Sequence, residues 1–434
     1  MIAHDEIHES NARFDQYVSL LAEAAGHADR HDPLRDYCVG LLISKTGKNV
    51  ESMAARISPA NVRSKHQSLH HLVADAPWSD KEVLNTVRQY VLPRLNLKAP
   101  ELSWIVDETG LPKKGRASVG VQRQYCREVG DTENCQVAVS LSLATEEASL
   151  PLAYQLYLPA SWAHNVQRRE KVKVPEEITF LTKPKIALQQ VEAMMRAKVP
   201  KGLVNGDAVY GNSVEFREGV TNFGLKYALG IHGTTTVWPP GAKPRPPATW
   251  KGVGRPPTRL RRDPDNKPIS ANELALQLKA KFRTVTWREG ATGKMASRFC
   301  AVRVRAARND EKRKAPRPEE WLLIEWPEGE KVPTKYWLST LPKSTSLRRL
   351  VARTKLRWRI ERDYQELKQE VGLGDYQGRG WRGFHHHATL CIAAYAFLIS
   401  ERLFFPSGDI DPRRRFQVPS VPRGFRPRGA SDTA

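Results

Sequence analysis

Three carboxylates sit where they could carry out chemistry together. Asp107 closes the apolar segment W-I-V-D, Asp207 closes L-V-N-G-D, and Glu361 lies in R-W-R-I-E on a predicted long helix. Two aspartates at adjacent strand ends and a glutamate from a crossing helix can hold two divalent cations, and hard oxygen ligands select Mg²⁺ or Mn²⁺. Two ions about 3.5–4 Å apart serve displacement at phosphorus. The sequence therefore predicts these acids as catalytic residues and metal ligands.

Each acid taken singly also has an ordinary structural explanation. An aspartate at a strand end often starts a turn, and a glutamate on a charged helix is often solvated. The combination with a strongly basic chain favours chemistry, because 69 Lys and Arg against 47 Asp and Glu leave a formal charge of +22 over 434 residues. This charge points to a polyanionic partner, either nucleic acid or an anionic membrane surface, and so to a phosphodiester substrate.

The segment around the glutamate adds two cations. Arg357, Glu361 and Lys368 follow one another at i, i+4 and i+11, which places them on one face of a helix. Arg357 and Lys368 could bind DNA phosphates while the carboxylate holds metal. A solvated, salt-bridged helix face is the alternative, and Glu366 and Glu370 show that this segment carries further charge.

These residues carry a resemblance to a known family. The spacing of Thr354, Arg357, Glu361 and Lys368 resembles the last motif of bacterial insertion-sequence transposases of the DDE superfamily, with threonine where the family has tyrosine. The segments D-E-T-G and N-G-D-A-V-Y-G fit the first two acids, and the likeness runs from about Trp104 to Leu398.

The resemblance implies a fold and roles for individual residues. The fold would be α/β, with an RNase H-like mixed sheet flanked by helices. Asp107, Asp207 and Glu361 would be the metal triad for two Mg²⁺ or Mn²⁺ ions, and Arg357 and Lys368 would contact the strand near the cut.

Three further cations follow D-E-T-G in the sequence. Lys113, Lys114 and Arg116 could contact DNA phosphates, and a solvated loop is the alternative.

The resemblance also implies an activity. The protein would bind double-stranded DNA at transposon ends, hydrolyse a phosphodiester at each end and transfer the freed 3′-hydroxyl strand into target DNA. Pairing of two ends implies a dimer on DNA. An RNase H-like nuclease without strand transfer shares the same acids, and a domesticated, non-catalytic DNA-binding protein is the other alternative.

Changes in composition predict five regions along the chain. A helical N-terminal region spans 1–96, and either packs on the rest or binds DNA. The catalytic core is predicted at 97–235 and 336–405, interrupted by a basic, Pro-rich and β-rich insertion at 236–335 before the glutamate helix. Between Trp238 and Arg262 there are seven prolines, seven Lys or Arg and no acid, which predicts an irregular arm. A disordered basic tail is predicted at 406–434.

Hydrophobic patterns place the individual elements. The predicted strands are 102–106, 119–125, 136–143, 152–158, 203–204, 227–231, 282–287, 298–304, 321–326 and 336–339. The predicted helices include 184–198, 346–371 and 388–405.

Several protein classes are disfavoured. The longest apolar run, 388–400, is shorter than the roughly 20 residues of a spanning helix, and the start MIAHDEIHES has no apolar signal segment. Five scattered cysteines fit a reducing cytoplasm and argue against disulfides or structural zinc. Three consecutive histidines, 385–387, point in different directions near a helix start, which disfavours a metal site there.

Overall fold

The computed structural model describes residues 2–44, 47–95, 102–290 and 293–404. The tail predicted at 406–434 lies outside these residues. The chain divides into two compact units. The helical unit comprises the described parts of Met1–Leu95 and Gln365–Ala434 together with Lys171–Val174, and the sheet unit comprises the described part of Asn96–Glu170 together with Pro175–Tyr364.

Strands are found only beyond residue 102 in the described chain. They are β1 (Ser103–Pro112), β2 (Gln122–Cys126), β3 (Asp131–Ala144), β4 (Ser149–Leu156), β5 (Leu203–Gly206), β6 (Tyr227–Ile231), β7 (Thr236–Trp238), β8 (Ile269–Ser270), β9 (Arg283–Gly290), β10 (Gly293–Ala306), β11 (Glu320–Glu325) and β12 (Lys335–Ser339).

The α-helices occur in both units. They are α1 (Ile2–Ala24), α2 (His31–Ile43), α3 (Val50–Ile57), α4 (Val62–His70), α5 (Asp80–Val91), α6 (Ala160–Ala163), α7 (Val166–Lys171), α8 (Lys183–Arg196), α9 (Ala208–Gly211), α10 (Val214–Asn222), α11 (Ala271–Gln277), α12 (Leu347–Lys355), α13 (Trp358–Gln369) and α14 (Trp381–Phe404).

The helical unit is built around α14. Phe14 and Tyr17 of α1 are buried, the Phe14 ring meets Phe397 edge-on at 5.0 Å, and the Tyr17 hydroxyl donates to the Ala393 carbonyl at 3.0 Å. By length and composition α14 could cross a membrane, but 78% of its apolar window is buried inside the protein. A helix that is apolar all round and covered in this way is a core helix.

The predicted start of α14 at Ala388 was too late. The helix begins at Trp381 and takes in the three histidines, all buried. The His386 ring stacks on Trp78 at 3.6 Å and its two nitrogens contact the Val73 and Trp78 carbonyls. The first two turns of α14 were not predicted because three consecutive histidines indicate a polar, exposed segment. In the structure these histidines are buried and contact backbone carbonyls.

The sheet unit contains one large mixed sheet. Five of its strands lie in the order β4-β3-β1-β5-β6, with β1, β5 and β6 parallel and β3 and β4 antiparallel to their neighbours. The strand β2 also pairs with β3 in this sheet. Beyond β6 the sheet continues through β12, β11 and β10. The strands predicted within the insertion therefore extend the same sheet. The predicted α/β class with a mixed sheet and helices is confirmed.

One face of this extension is covered by α12. Leu350 and Val351 are fully buried against Leu323, Phe299 and Trp337. The fit fixes α12 on the sheet. The end of α12 lies close to β1 and β5, because Arg353 donates to the Leu102 carbonyl at 2.7 Å and the Asn205 amide donates to the Arg353 carbonyl at 3.2 Å.

The single helix predicted over 346–371 is two helices. α12 ends at Lys355, and α13 begins at Trp358. Between them the Arg359 N–H donates to the Leu356 carbonyl and the Ile360 N–H to the Arg357 carbonyl, which is a tighter turn than the α-helical ladder. No proline or glycine marks the break, so helical periodicity runs through it unchanged.

Candidate active site

Strand register brings the two aspartates to one level. β1 and β5 pair in parallel from Ser103 with Leu203 to Ile105 with Asn205. Two residues further along each chain come Asp107 and Asp207. Because side chains two residues apart share a face of the sheet, both carboxylates emerge on the same side.

Asp107 does not end its strand, contrary to the prediction. β1 continues to Pro112, paired antiparallel with β3, and Asp107 lies opposite Ser140. Its side chain is 0% exposed. What ends near Asp107 is the parallel pairing with β5, a long-range feature that the apolar run W-I-V did not reveal.

Asp207 follows β5 directly and begins the next helix. Its Oδ1 accepts a hydrogen bond of 2.9 Å from the Val209 N–H as the N-cap of α9. The other oxygen, Oδ2, lies 3.5 Å from Nη2 of Arg127 in the candidate site. The aspartate thus serves a structural cap and the candidate site at once.

Glu361 lies in the first turn of α13, with its side chain 57% exposed. Two contacts just after it hold this helix to the sheet. The Tyr364 and Ser140 hydroxyls share a hydrogen bond of 2.7 Å, and the Ser149 hydroxyl donates to Asp363 at 2.5 Å. Ser140 lies on β3 directly opposite Asp107, so Tyr364 ties the glutamate helix to the strand that pairs with the strand of the buried aspartate.

Arg357 joins Glu361 to Asp107. It lies in the turn before α13, and its Nη1 donates to Asp107 Oδ2 at 2.7 Å while Nη2 donates to Glu361 Oε1 at 2.9 Å. The predicted closeness of Arg357 and Glu361 is therefore observed, although Arg357 precedes the helix. Thr354, in place of the family's tyrosine, donates its hydroxyl to the Leu350 carbonyl within α12.

A second arginine, Arg127, was missed by the sequence analysis. Its Nη1 donates to both Asp107 oxygens, at 2.8 and 2.7 Å, and its Nη2 lies 3.5 Å from Asp207 Oδ2. Arg127 follows β2 in the turn to β3, twenty residues from Asp107. One arginine among many in a basic chain gives no local signal, so only the folded hairpin identifies it.

The electrostatics of the site are dominated by burial of Asp107. Burial raises the pKa of Asp107 to about 6; Arg357 and Arg127 act against this rise, and Asp207 adds to it. Burial lowers the pKa of Arg127, but Asp107, Asp207 and Glu361 outweigh it and raise that pKa overall. All three acids therefore act on Arg127.

The other predicted DNA contacts lie elsewhere. Lys113, Lys114 and Arg116 follow the far end of β1, and Lys114 and Arg116 are exposed. Pro112 lies five residues beyond Asp107 along the strand, roughly 16 Å at the usual rise. Lys368 lies in the last turn of α13, two turns beyond Glu361. These four assignments stay predictions.

The donor set suits a hard cation, but its present spacing does not. Carboxylate oxygens are the ligands of Mg²⁺ and Mn²⁺. Across the described residues, however, no group of three or more His, Cys, Asp or Glu side chains is close enough to hold an ion. The guanidinium groups of Arg127 and Arg357 occupy the space between the acids. The carboxylate donors are therefore of the right chemical type, but a metal ion could bind only if these arginine side chains moved away.

Comparison with known proteins identifies the family of this chain. The family model of the DDE superfamily endonucleases matches residues 20–294, a stretch that includes Asp107 and Asp207 and ends before Glu361. A probable transposase for insertion sequence element IS701 from Microchaete diplosiphon is 31% identical over 172 residues. That alignment covers 39% of this chain, and the chain spans only 42% of the length of this relative.

The family match covers more than half of the chain, and the predicted resemblance to DDE insertion-sequence transposases is confirmed. The chain belongs to the DDE superfamily endonucleases.

Proposed function

We propose that the protein is a DNA transposase with an RNase H-like core. The single observation that carries the proposal is the convergence of Asp107, Asp207 and Glu361 around two arginines at the end of the parallel strand pair. The strand order β4-β3-β1-β5-β6, antiparallel on one side and parallel on the other, supports the core assignment. Membership of the DDE endonucleases and the net charge of +22 support a phosphodiester substrate.

The three acids would hold two Mg²⁺ or Mn²⁺ ions. When bound, such ions activate an attacking oxygen and stabilise a leaving one at phosphorus. Asp107 supplies a fully buried carboxylate fixed by the sheet, while Asp207 and Glu361 supply more exposed ones. Hydrolysis at the transposon end and attack by the freed 3′-hydroxyl are both in-line displacements, so one site serves both.

The cations of the chain would hold the DNA. Arg357 and Lys368 would contact phosphates near the cut, and Lys113, Lys114 and Arg116 would contact the duplex further away. The partner is double-stranded DNA, at the transposon ends and at the target. Two ends brought together imply a dimer on DNA, and the protein would act in the cytoplasm.

A cleavage and joining assay tests this function. Purified protein is given labelled duplex with the ends that flank its gene and a supercoiled target, with and without Mg²⁺. We expect metal-dependent cutting and joined products, reduced at least about a hundredfold in Asp107→Asn, Asp207→Asn and Glu361→Gln, since each change removes a charge worth several kcal/mol in the transition state. Glu147→Gln, an exposed acid of the β3–β4 turn, is the control.

The outcomes separate the alternatives. Cutting without joined products would indicate an RNase H-like nuclease. End binding without cutting, unchanged in the acid variants, would indicate a domesticated DNA-binding protein. Cutting that survives all three substitutions would refute the proposed triad.

A further inference from the structure

We propose that Arg127 stands in for a divalent cation between Asp107 and Asp207, so that an ion enters this part of the site only as the guanidinium leaves. The inference rests on the proposed metal-dependent function and adds a role for a residue outside the triad. One guanidinium reaches both oxygens of Asp107, at 2.8 and 2.7 Å, and approaches Asp207 to 3.5 Å. Asp107 and Asp207 are also two of the residues that would hold a divalent cation.

Burial explains why a cation is needed there. Asp107 is 0% exposed, and an ionised carboxylate without a partner is costly at such a place. Without an ion, the partners available to it are Arg127, Arg357 and the Glu108 N–H, which donates at 2.9 Å. Arg127 is therefore one of the few groups that compensate the burial of this carboxylate.

The position of Arg127 lets it leave. Its side chain is 38% exposed, compared with 21% for Arg357. It opens a tight turn in which the Gly130 N–H returns to the Cys126 carbonyl at 2.9 Å, and Gly130 adopts φ +75°. A turn residue with a partly exposed side chain can swing outward without breaking the pairing of β2 with β3, whereas Asp107 cannot move without disturbing the sheet.

Charge balance points the same way. Three carboxylates facing two guanidinium groups are nearly neutralised as they stand. Two divalent ions added beside both arginines would leave an excess of positive charge in a partly buried site, which is unfavourable at close range. Departure of Arg127 reduces this excess, so metal and guanidinium compete for the same pair of aspartates.

The test measures Mn²⁺ binding to the full chain without DNA. Electron paramagnetic resonance detects the Mn²⁺ that remains free in solution. At one fixed pH of about 8, we expect Arg127→Gln to bind Mn²⁺ on the order of tenfold more tightly than the wild type, since a charge-assisted competitor is lost. Arg123→Gln is the matched control, because it removes the same charge from an exposed position on the same hairpin and should leave the affinity unchanged.

Thermal melting gives a readout independent of ion counting. With a chelator present, Arg127→Gln should melt below the wild type, because the buried aspartate loses a partner. Mn²⁺ should then raise its melting temperature more than that of the wild type. Should Arg127→Gln fail to fold, Arg127→Lys decides, because an ammonium keeps the charge but lacks the fork that spans both aspartates, and it should also bind Mn²⁺ more tightly than the wild type.

Failure of this inference is distinguishable from failure of the proposed function. Equal or weaker Mn²⁺ binding in the Arg127 variants, while Asp107→Asn abolishes binding, would overturn the stand-in role and leave the metal site intact. Mn²⁺ binding that is unchanged in both Asp107→Asn and Asp207→Asn would overturn the metal site itself, and the stand-in role with it.

Discussion

Asp107 shows how one residue can combine a structural and a chemical constraint. It is paired along β3, fully buried, and balanced by two arginines that come from turns. Burial nevertheless wins, and the pKa of Asp107 rises from 3.8 to about 6. The folded protein therefore favours the protonated form of the Asp107 carboxyl group more than the unfolded chain does.

This shift predicts a pH dependence of stability. Because the folded pKa lies above the unfolded one, the favourable contribution is complete below about pH 4 and is lost as the pH rises through 6. Relative to Asp107→Asn, the wild type should lose roughly 2–3 kcal/mol of unfolding free energy between about pH 4 and pH 7. Urea unfolding of both proteins with a chelator measures the difference. A difference that stays constant over this range would contradict the assigned pKa.

At the scale of elements, two basic loops of the sheet unit differ in how their charge is used. The basic arm, residues 248–259, is exposed throughout and contains Lys251, Arg255 and Arg259 but no acid. It also carries Trp250, which alone of the eleven tryptophans, all within the described residues, is exposed. In the loop at 312–318, by contrast, Arg313 and Arg317 both pair with Glu218, at 2.6 and 3.1 Å.

The contrast predicts which loop binds DNA. Arg255→Gln should weaken binding to duplex DNA and reduce the slope of log affinity against log salt by about 0.9, the value for one phosphate contact. Arg313→Gln should leave the slope nearly unchanged, because Glu218 already neutralises that charge. Fluorescence anisotropy over a salt series measures both slopes. A slope for Arg255→Gln equal to that of the wild type would show that Arg255 makes no phosphate contact.

The sequence predicted the elements that depend on local patterns better than the features that depend on contacts between distant segments. β6 was predicted with its observed bounds, Tyr227–Ile231, because a short apolar run between polar turns depends only on local pattern. The place of Asp107 within β1 and the role of Arg127 depend on pairing between distant segments, which no local pattern reports. The break before α13 was not predicted, because no proline or glycine marks it and the helical pattern continues through it.

At the scale of the whole molecule, the helical unit and the sheet unit have different cores. The sheet unit relies on strand pairing, whereas the helical unit relies on α14 and on three buried histidines. Burial lowers the pKa of His386 to about 4, in spite of the Trp78 and Val73 carbonyls that favour its charged form. The stability of the helical unit is therefore tied to pH through the imidazole of His386.

Acid should therefore destabilise the helical unit. Because the folded pKa of His386 lies below the unfolded value of 6.5, its contribution is complete above about pH 6.5 and is lost as the pH falls toward 4. The loss amounts to roughly 3 kcal/mol, and His386→Gln should reduce it. Hydrogen exchange of α14 amides at several pH values measures the effect. His232→Gln, at an exposed position, is the control; equal acid sensitivity of the His386 variant and the wild type would refute the assignment.

The origin of the charged groups around Asp107 has a consequence for how the protein responds to its ligands. The buried acid is held by a strand paired along its length with β3, while Arg127 and Arg357 both come from turns. Any rearrangement that accompanies ligand arrival must therefore be absorbed by two short turns rather than by the sheet. Loaded and unloaded forms should share one rigid frame and differ in the path of a few backbone residues.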